Sequence, residues 1–249
     1  MAYPLFLTVR PVPVAEDVPD LRERLEEAFP LTENLTYLDG LCRSSLPRVM
    51  AERLGALSLL PSLLAAAEIR TEGLLLRRDS HGRPHCVTAD GSPASFDFNL
   101  SHSAGHIACA LAVGGGLVGV DVEEHIPSSR ALPLIRRYCT PGEMDMLKRL
   151  PSDEDRAASF FTSVWVEREA MAKQEGGGMP LRFDTAELPA GIVLWSGVLP
   201  RSQAGIALCA PLLNAPCTPR LLPDSLPVDF KAPLQIRRAK SRRNIFRDI

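Results

Sequence analysis

Asp121 and Glu123 stand two residues apart in the run Val118-Gly119-Val120-Asp121-Val122-Glu123. On a strand, residues i and i+2 share a face, so the two carboxylates sit side by side and repel unless a cation or water lies between them. Hard oxygen ligands of this kind suit Mg²⁺ better than Zn²⁺. A solvated strand edge fits the same spacing, since Glu124 follows. Glu169 and Lys173 are four apart in a stretch with helical spacing and share a face with Trp165. Taken alone, that stripe is also what a surface ion pair over a packed Trp looks like. Ser101-His102-Ser103 puts an imidazole between two hydroxyls. Adjacency in sequence is no hydrolase signature, because triad members meet in space, and there is no G-x-S-x-G elbow; a phosphate cradle fits equally well. Gly114 to Gly116 lacks the Lys-Ser/Thr of a P-loop and, like Gly176 to Gly178, reads as a turn.

The elements that must position these residues follow from patterning. Leu5 to Val9 reads as a strand, and Asp20 to Ala28 and Leu41 to Ala67 carry helical spacing interrupted at Pro47 and Pro61. Leu74-Leu75-Leu76 suits a helix end or a short strand. His81-Gly82-Arg83-Pro84 reads as a turn. Phe96 to Leu100 alternates as a strand entering a loop at Ser101-His102-Ser103. The apolar runs Ile107 to Val113 and Leu117 to Glu123, joined by glycines, read as a hairpin. Arg130 to Tyr138 is a predicted helix. Thr140-Pro141-Gly142-Glu143 opens another with an N-cap, a first-turn Pro and a capping Glu. A third starts at Ser152 to Asp155, runs past Ala170 and stops at the glycines after Gln174. Ile192 to Val198 and Ala204 to Cys209 suit a second hairpin. Beyond Ala210, proline and polar residues dominate, and six basic residues between Arg237 and Arg247 predict a solvated tail.

The chain's 249 residues allow one large domain or two small ones. A net charge of −2 does not mark a nucleic-acid binder, so no such partner is expected. Cys42, Cys86, Cys109, Cys139, Cys209 and Cys217 form no C-x-x-C pair; they read as reduced thiols rather than a zinc site. The N-terminus reads as an opening strand rather than a signal peptide, and no apolar run is expected to reach the length of a membrane span. A cytoplasmic location without a membrane partner is the resulting expectation.

Taken together, the motifs resemble one family. Gly82-Arg83-Pro84, then Phe98-Asn99-Leu100-Ser101-His102-Ser103, then Gly119-Val120-Asp121-Val122-Glu123 occur in its order. Glu143, Leu147, Phe161, Trp165-Val166-Glu167-Arg168-Glu169-Ala170, Lys173 and Gly176-Gly177 follow. This series, from about His81 to Met179, resembles the 4′-phosphopantetheinyl transferase superfamily, and the chain length resembles its larger, surfactin-synthetase-type branch. The resemblance implies an α+β fold: two similar α/β halves related by a pseudo-two-fold, each with a small antiparallel sheet packed on helices, in one monomer. The halves would be 1–115 and 116–215, with a proline-rich and basic tail at 216–249. It implies Mg²⁺ held by Asp121, Glu123 and Glu169, coenzyme A as co-substrate with its phosphates on Arg83, Ser101 and His102, and an apo acyl or peptidyl carrier protein as acceptor. Glu169, or a water it holds, would be the base for the carrier serine. Lys173 would stabilise phosphate charge or protonate the leaving group, adenosine 3′,5′-bisphosphate.

There are departures. Arg168 stands where Lys is usual, and Arg43, Arg48 and Arg53 have no assigned part in holding the adenine end. Ile126 to Leu150, with Leu132, Leu134 and Tyr138, reads as carrier contact or as core. A non-catalytic module that binds coenzyme A or a carrier is the alternative function, and a Ser/His hydrolase on Ser101 and His102 a third.

Overall fold

Hydrophobic runs that alternate or stay buried on both faces favour strands, and here they build two larger sheets, antiparallel except where β9 joins β1. A computed structural model describes residues 4–43, 46–103, 105–114, 116–150, 153–176, 191–211, 219–231 and 234–235. In chain order the elements are β1 (Leu5–Pro11), α1 (Val18–Ala28), α2 (Thr32–Leu41), α3 (Pro47–Ser58), α4 (Leu60–Ala66), β2 (Leu74–Arg78), β3 (Pro84–Thr88), β4 (Phe96–Ser103), β5 (His106–Val113) and β6 (Gly119–Glu123). Then come α5 (Ser128–Tyr138), α6 (Pro141–Arg149), α7 (Glu154–Glu175), β7 (Ile192–Val198), β8 (Gly205–Pro211), β9 (Arg220–Leu221), β10 (Asp229–Phe230) and β11 (Leu234–Gln235). One sheet has the order β4-β5-β1-β9 and the other β10-β7-β8-β6, with β11 also on β7; β2 and β3 form a separate hairpin. The fold is mixed α+β.

The layers run helices, sheet, sheet, helix. Leu54, Leu57, Leu60, Leu63 and Leu64 of α3 and α4 pack with α1, α2 and one face of the first sheet, where Phe98, Ile107 and Leu111 point. The other face, through Leu5, Leu7, Val9, Ala108 and Ala110, packs on Val120, Val122, Trp195, Ile206 and Leu208 of the second sheet. The far side of the second sheet takes Val166 and Ala170 of α7. Helices α5 and α6 gather around Phe161 of α7, and Leu132, Leu134 and Tyr138 lie partly buried in that cluster.

Several elements differ from their sequence reading. The glycine run does not close a hairpin: β5 pairs with β4 and β1, and β6 pairs with β8 in the other sheet. Ser101-His102-Ser103 is not loop but the last rungs of β4, opposite Ala108, Ile107 and His106. Leu74-Leu75-Leu76 takes the strand of its two readings, whereas α2 is a helix with no sequence forecast. Residues 47–66 are long and apolar enough to cross a membrane by length and composition, against the expectation of no such run; half of that window is buried within the fold. The start of the polar C-terminal stretch is built into both sheets. β9 runs parallel to β1 and β10 antiparallel to β7. Between them Leu226 N–H donates to Val9 O (2.8 Å), and Asp224 pairs with Arg10. Gly177, Gly178, Cys217 and the basic residues from Arg237 onward lie outside the described residues.

Candidate active site

Strands β4 and β6 are edges of different sheets, and side chains join them. The N–H groups of Val118, Val120 and Val122 donate to Asp97 Oδ2 (2.7 Å), Asn99 Oδ1 (3.0 Å) and Ser101 Oγ (3.2 Å). Residues 97, 99 and 101 alternate along β4 and so present one face. Two cations close the carbonyl side: Val118 O accepts from Arg83 Nη2 (2.7 Å) and Val120 O from Lys173 Nζ (3.2 Å). An edge that would bury unpaired backbone groups is thereby satisfied.

Arg83 belongs to this seam. Its guanidinium also bonds Asp97 Oδ2 (2.5 Å), Phe98 O (3.3 Å) and the carbonyl of Lys173. Its side chain is 9% exposed, and it does not line the cleft described next.

Gly119 sets where α7 meets β6. A Cβ built on it would lie 1.9 Å from the Ala170 carbonyl oxygen and 2.6 Å from the Gln174 backbone nitrogen. The bare glycine lets the helix backbone rest on the strand. Asp121 and Glu123 share the face of Gly119, so α7 lays Trp165, Glu169 and Lys173, one turn apart each, beside them. Together with Ser101, His102 and Ser103 they line a cleft of about 450 Å³.

Lys173 Nζ sits 2.7 Å from Asp121 Oδ1 and 3.1 Å from Ser101 Oγ. Asp121 is 5% exposed and its Oδ2 has no hydrogen-bond partner among the described residues. Burial pushes its carboxyl up, against the pull of the Lys173 charge. Burial also raises Glu169, helped by the negative charge of Asp121 and opposed by Lys173. His102 is held down by burial, while Glu52 on α3, 3.5 Å from Nδ1, opposes this; Arg53 adds a nearby positive charge.

Carboxylate oxygens are the ligand type a hard cation takes, and those of Asp121, Glu123 and Glu169 line the same cleft. Among the described residues no three acidic, His or Cys side chains are placed so that they could hold a metal ion; the Lys173 ammonium stands on Asp121.

Arg168 departs from the cleft altogether. Its Nη2 bonds both oxygens of Glu143 (2.7 and 2.6 Å) and its Nη1 bonds Tyr138 O (2.7 Å), tying α7 to α5 and α6. Glu143 also closes the capping box of α6, accepting from Thr140 N (2.7 Å) while Thr140 Oγ1 accepts from Glu143 N. Nothing in the sequence pairs two residues 25 apart, although the forecast capping box put Glu143 at the right turn. Arg168→Lys keeps the charge but loses the fork. It is expected to lower stability by about 1–3 kcal/mol in urea denaturation; an unchanged midpoint would refute the clamp.

With the geometry in place, known proteins supply the comparison. Residues 117–191 match the model of the 4′-phosphopantetheinyl transferase superfamily. This segment, less than a third of the chain, is similar to that superfamily. It contains Asp121, Glu123, Arg168, Glu169 and Lys173. The curated 4′-phosphopantetheinyl transferase Sfp of Bacillus subtilis is 33% identical over 88 residues, 35% of this chain and 37% of Sfp. The 4′-phosphopantetheinyl transferase HetI of Nostoc is 37% identical over 82 residues, 33% of each chain. The matched stretch therefore spans little more than a third of these relatives.

Proposed function

We propose that this chain transfers 4′-phosphopantetheine from coenzyme A to a serine of an apo acyl or peptidyl carrier protein, with Mg²⁺, releasing adenosine 3′,5′-bisphosphate. The observation that supports this most is the meeting of Asp121, Glu123 and Glu169 on one cleft, with Asp121 Oδ2 buried and without a partner among the described residues. The relatives' names give the transferred group, and the resemblance gives donor and acceptor. The same reading makes the fold the larger, surfactin-synthetase type, two related halves acting as a monomer in the cytoplasm.

In this mechanism the carrier serine Oγ bonds to the phosphorus attached to pantetheine, and the bond from that phosphorus to the bridging oxygen breaks. Glu169, half-buried and with its carboxyl pushed up by burial, takes the serine proton, directly or through a water. Lys173 faces the developing negative charge or protonates the leaving oxygen. His102 and Ser101 border the cleft where the phosphates of coenzyme A would lie. Asp121, Glu123 and Glu169 would hold the Mg²⁺, which neutralises phosphate charge when bound.

The test is mass spectrometry of apo carrier proteins incubated with coenzyme A and Mg²⁺. The acceptor is expected to gain one phosphopantetheine, and a chelator should lower the rate at least ~100-fold. No gain with fatty-acid, polyketide and peptide-synthetase carriers alike would overturn the proposal; binding of coenzyme A by calorimetry without turnover would point to the non-catalytic alternative.

A further inference from the structure

Two matched pairs face each other across the seam. Ser101 and Ser103 are two apart on β4; Asp121 and Glu123 are two apart on β6. Ser101 Oγ donates to Asp121 Oδ1 at 3.0 Å, and Ser103 Oγ donates to Glu123 Oε1 at 2.6 Å. Each carboxylate is held by one oxygen from two sides. Asp121 Oδ1 also takes Lys173 Nζ, and Glu123 Oε1 also takes the backbone N–H of Glu124 (3.0 Å). Among the described residues the other oxygen of Asp121 is buried with no partner, and the bonds to Glu123 fall on Oε1.

We infer that Ser103 is a positioning residue for Glu123: with Ser101, it fixes the two β6 carboxylates through one oxygen each and leaves the second oxygen of each to a divalent cation. The inference rests on the cation reading proposed above. Glutamate has three rotatable side-chain bonds, and ordering them costs affinity unless done beforehand. The hydroxyl of Ser103 does this from a strand end that is itself paired to β5. Ser101 has a second duty in the seam, through Val122 N–H, so Ser103 is the cleaner probe.

The full chain would be titrated with Mn²⁺ by calorimetry, with coenzyme A present, as parent, Ser103→Ala and Ser103→Thr. Loss of an outer partner of a metal ligand typically weakens binding 10–100-fold, so Ser103→Ala is expected to raise the Mn²⁺ Kd about tenfold. Thr keeps the hydroxyl and suits a strand, so Ser103→Thr should bind within about twofold of the parent. In transfer assays the Mg²⁺ concentration for half-maximal rate should rise in Ser103→Ala while the rate at saturating Mg²⁺ returns. A serine that only supports the fold would lower the melting temperature and leave the Kd unchanged. Equal Kd values for parent and Ser103→Ala would overturn this inference alone. A parent that binds no Mn²⁺ would overturn the cation reading and this inference with it.

Discussion

Glu169→Gln is expected to lower phosphopantetheine transfer at least ~100-fold and yet melt no lower than the parent at pH 7 without divalent cation. The loss follows because a neutral amide takes no proton and is a poor ligand for a hard cation; general-base catalysis alone typically contributes 10²–10⁴-fold. The stability follows from the direction of the Glu169 shift. Burial and the charge of Asp121 raise its pKa in the folded protein. A raised folded pKa gives a contribution that is present in full below the unfolded carboxylate value and is lost as pH rises through the folded value. Above the folded value the parent carries an ionised, partly desolvated carboxylate that the charge of Asp121 disfavours. Gln resembles the protonated form and escapes that repulsion. Its advantage should shrink as the pH falls to about 3, below the unfolded carboxylate value of roughly 4.3, where the carboxyl is mostly protonated in both states. Calorimetric melting at the two pH values, beside the transfer assay, checks this. A variant that transfers at near-normal rate, or melts well below the parent at pH 7, would sink the assignment.

Gly119→Ala should be severely damaging, because its added Cβ makes the shortest contact of any glycine among the described residues. Its Cβ would meet the Ala170 carbonyl oxygen at 1.9 Å and the Gln174 nitrogen at 2.6 Å. Both are helix backbone, which has no rotamer to adopt. Either α7 lifts from β6 or the strand bends. Overpacking commonly costs 1–3 kcal/mol, and with backbone on both sides we expect about 3 kcal/mol or more in urea denaturation. Lifting α7 also separates Glu169 and Lys173 from Asp121, so activity should fall further than stability explains. Gly40→Ala is the control, because no atom lies within 4 Å of its added Cβ. Similar midpoints for the two variants would falsify the close-approach account.

The cleft residues were legible in the sequence because their periodicities are local. Asp121 and Glu123 share a strand face by the two-residue repeat, and Trp165, Glu169 and Lys173 share a helix face by the four-residue one. Thr140 and Glu143 form the forecast capping box for the same reason. What stayed hidden depends on pairings distant in sequence. Asp97, Asn99 and Ser101 serve backbone groups 21 residues away, which is unreadable while the glycine run suggests that β5 and β6 form one hairpin. The family resemblance marked Arg83 as a phosphate ligand, whereas its fork here meets Asp97 and three carbonyls. Helix α2 escaped notice because its two Thr, Gly40 and Asn34 dilute the apolar stripe. Asn34 is instead a buried link, donating to Leu74 O (2.9 Å) and accepting from Leu76 N–H (2.8 Å) of β2.

The seam between β4 and β6 has a consequence for how this chain keeps itself apart from its neighbours in a crowded solution. A sheet edge with open N–H and C=O groups is a template on which another chain can add a strand. Here the β6 edge is already occupied by Asp97, Asn99, Ser101, Arg83 and Lys173. The opposite sides of the two sheets are covered by the C-terminal stretch, through β9 on one and β10 and β11 on the other, in pieces two residues long. The groups that assemble the cleft thus also guard the protein against aggregation.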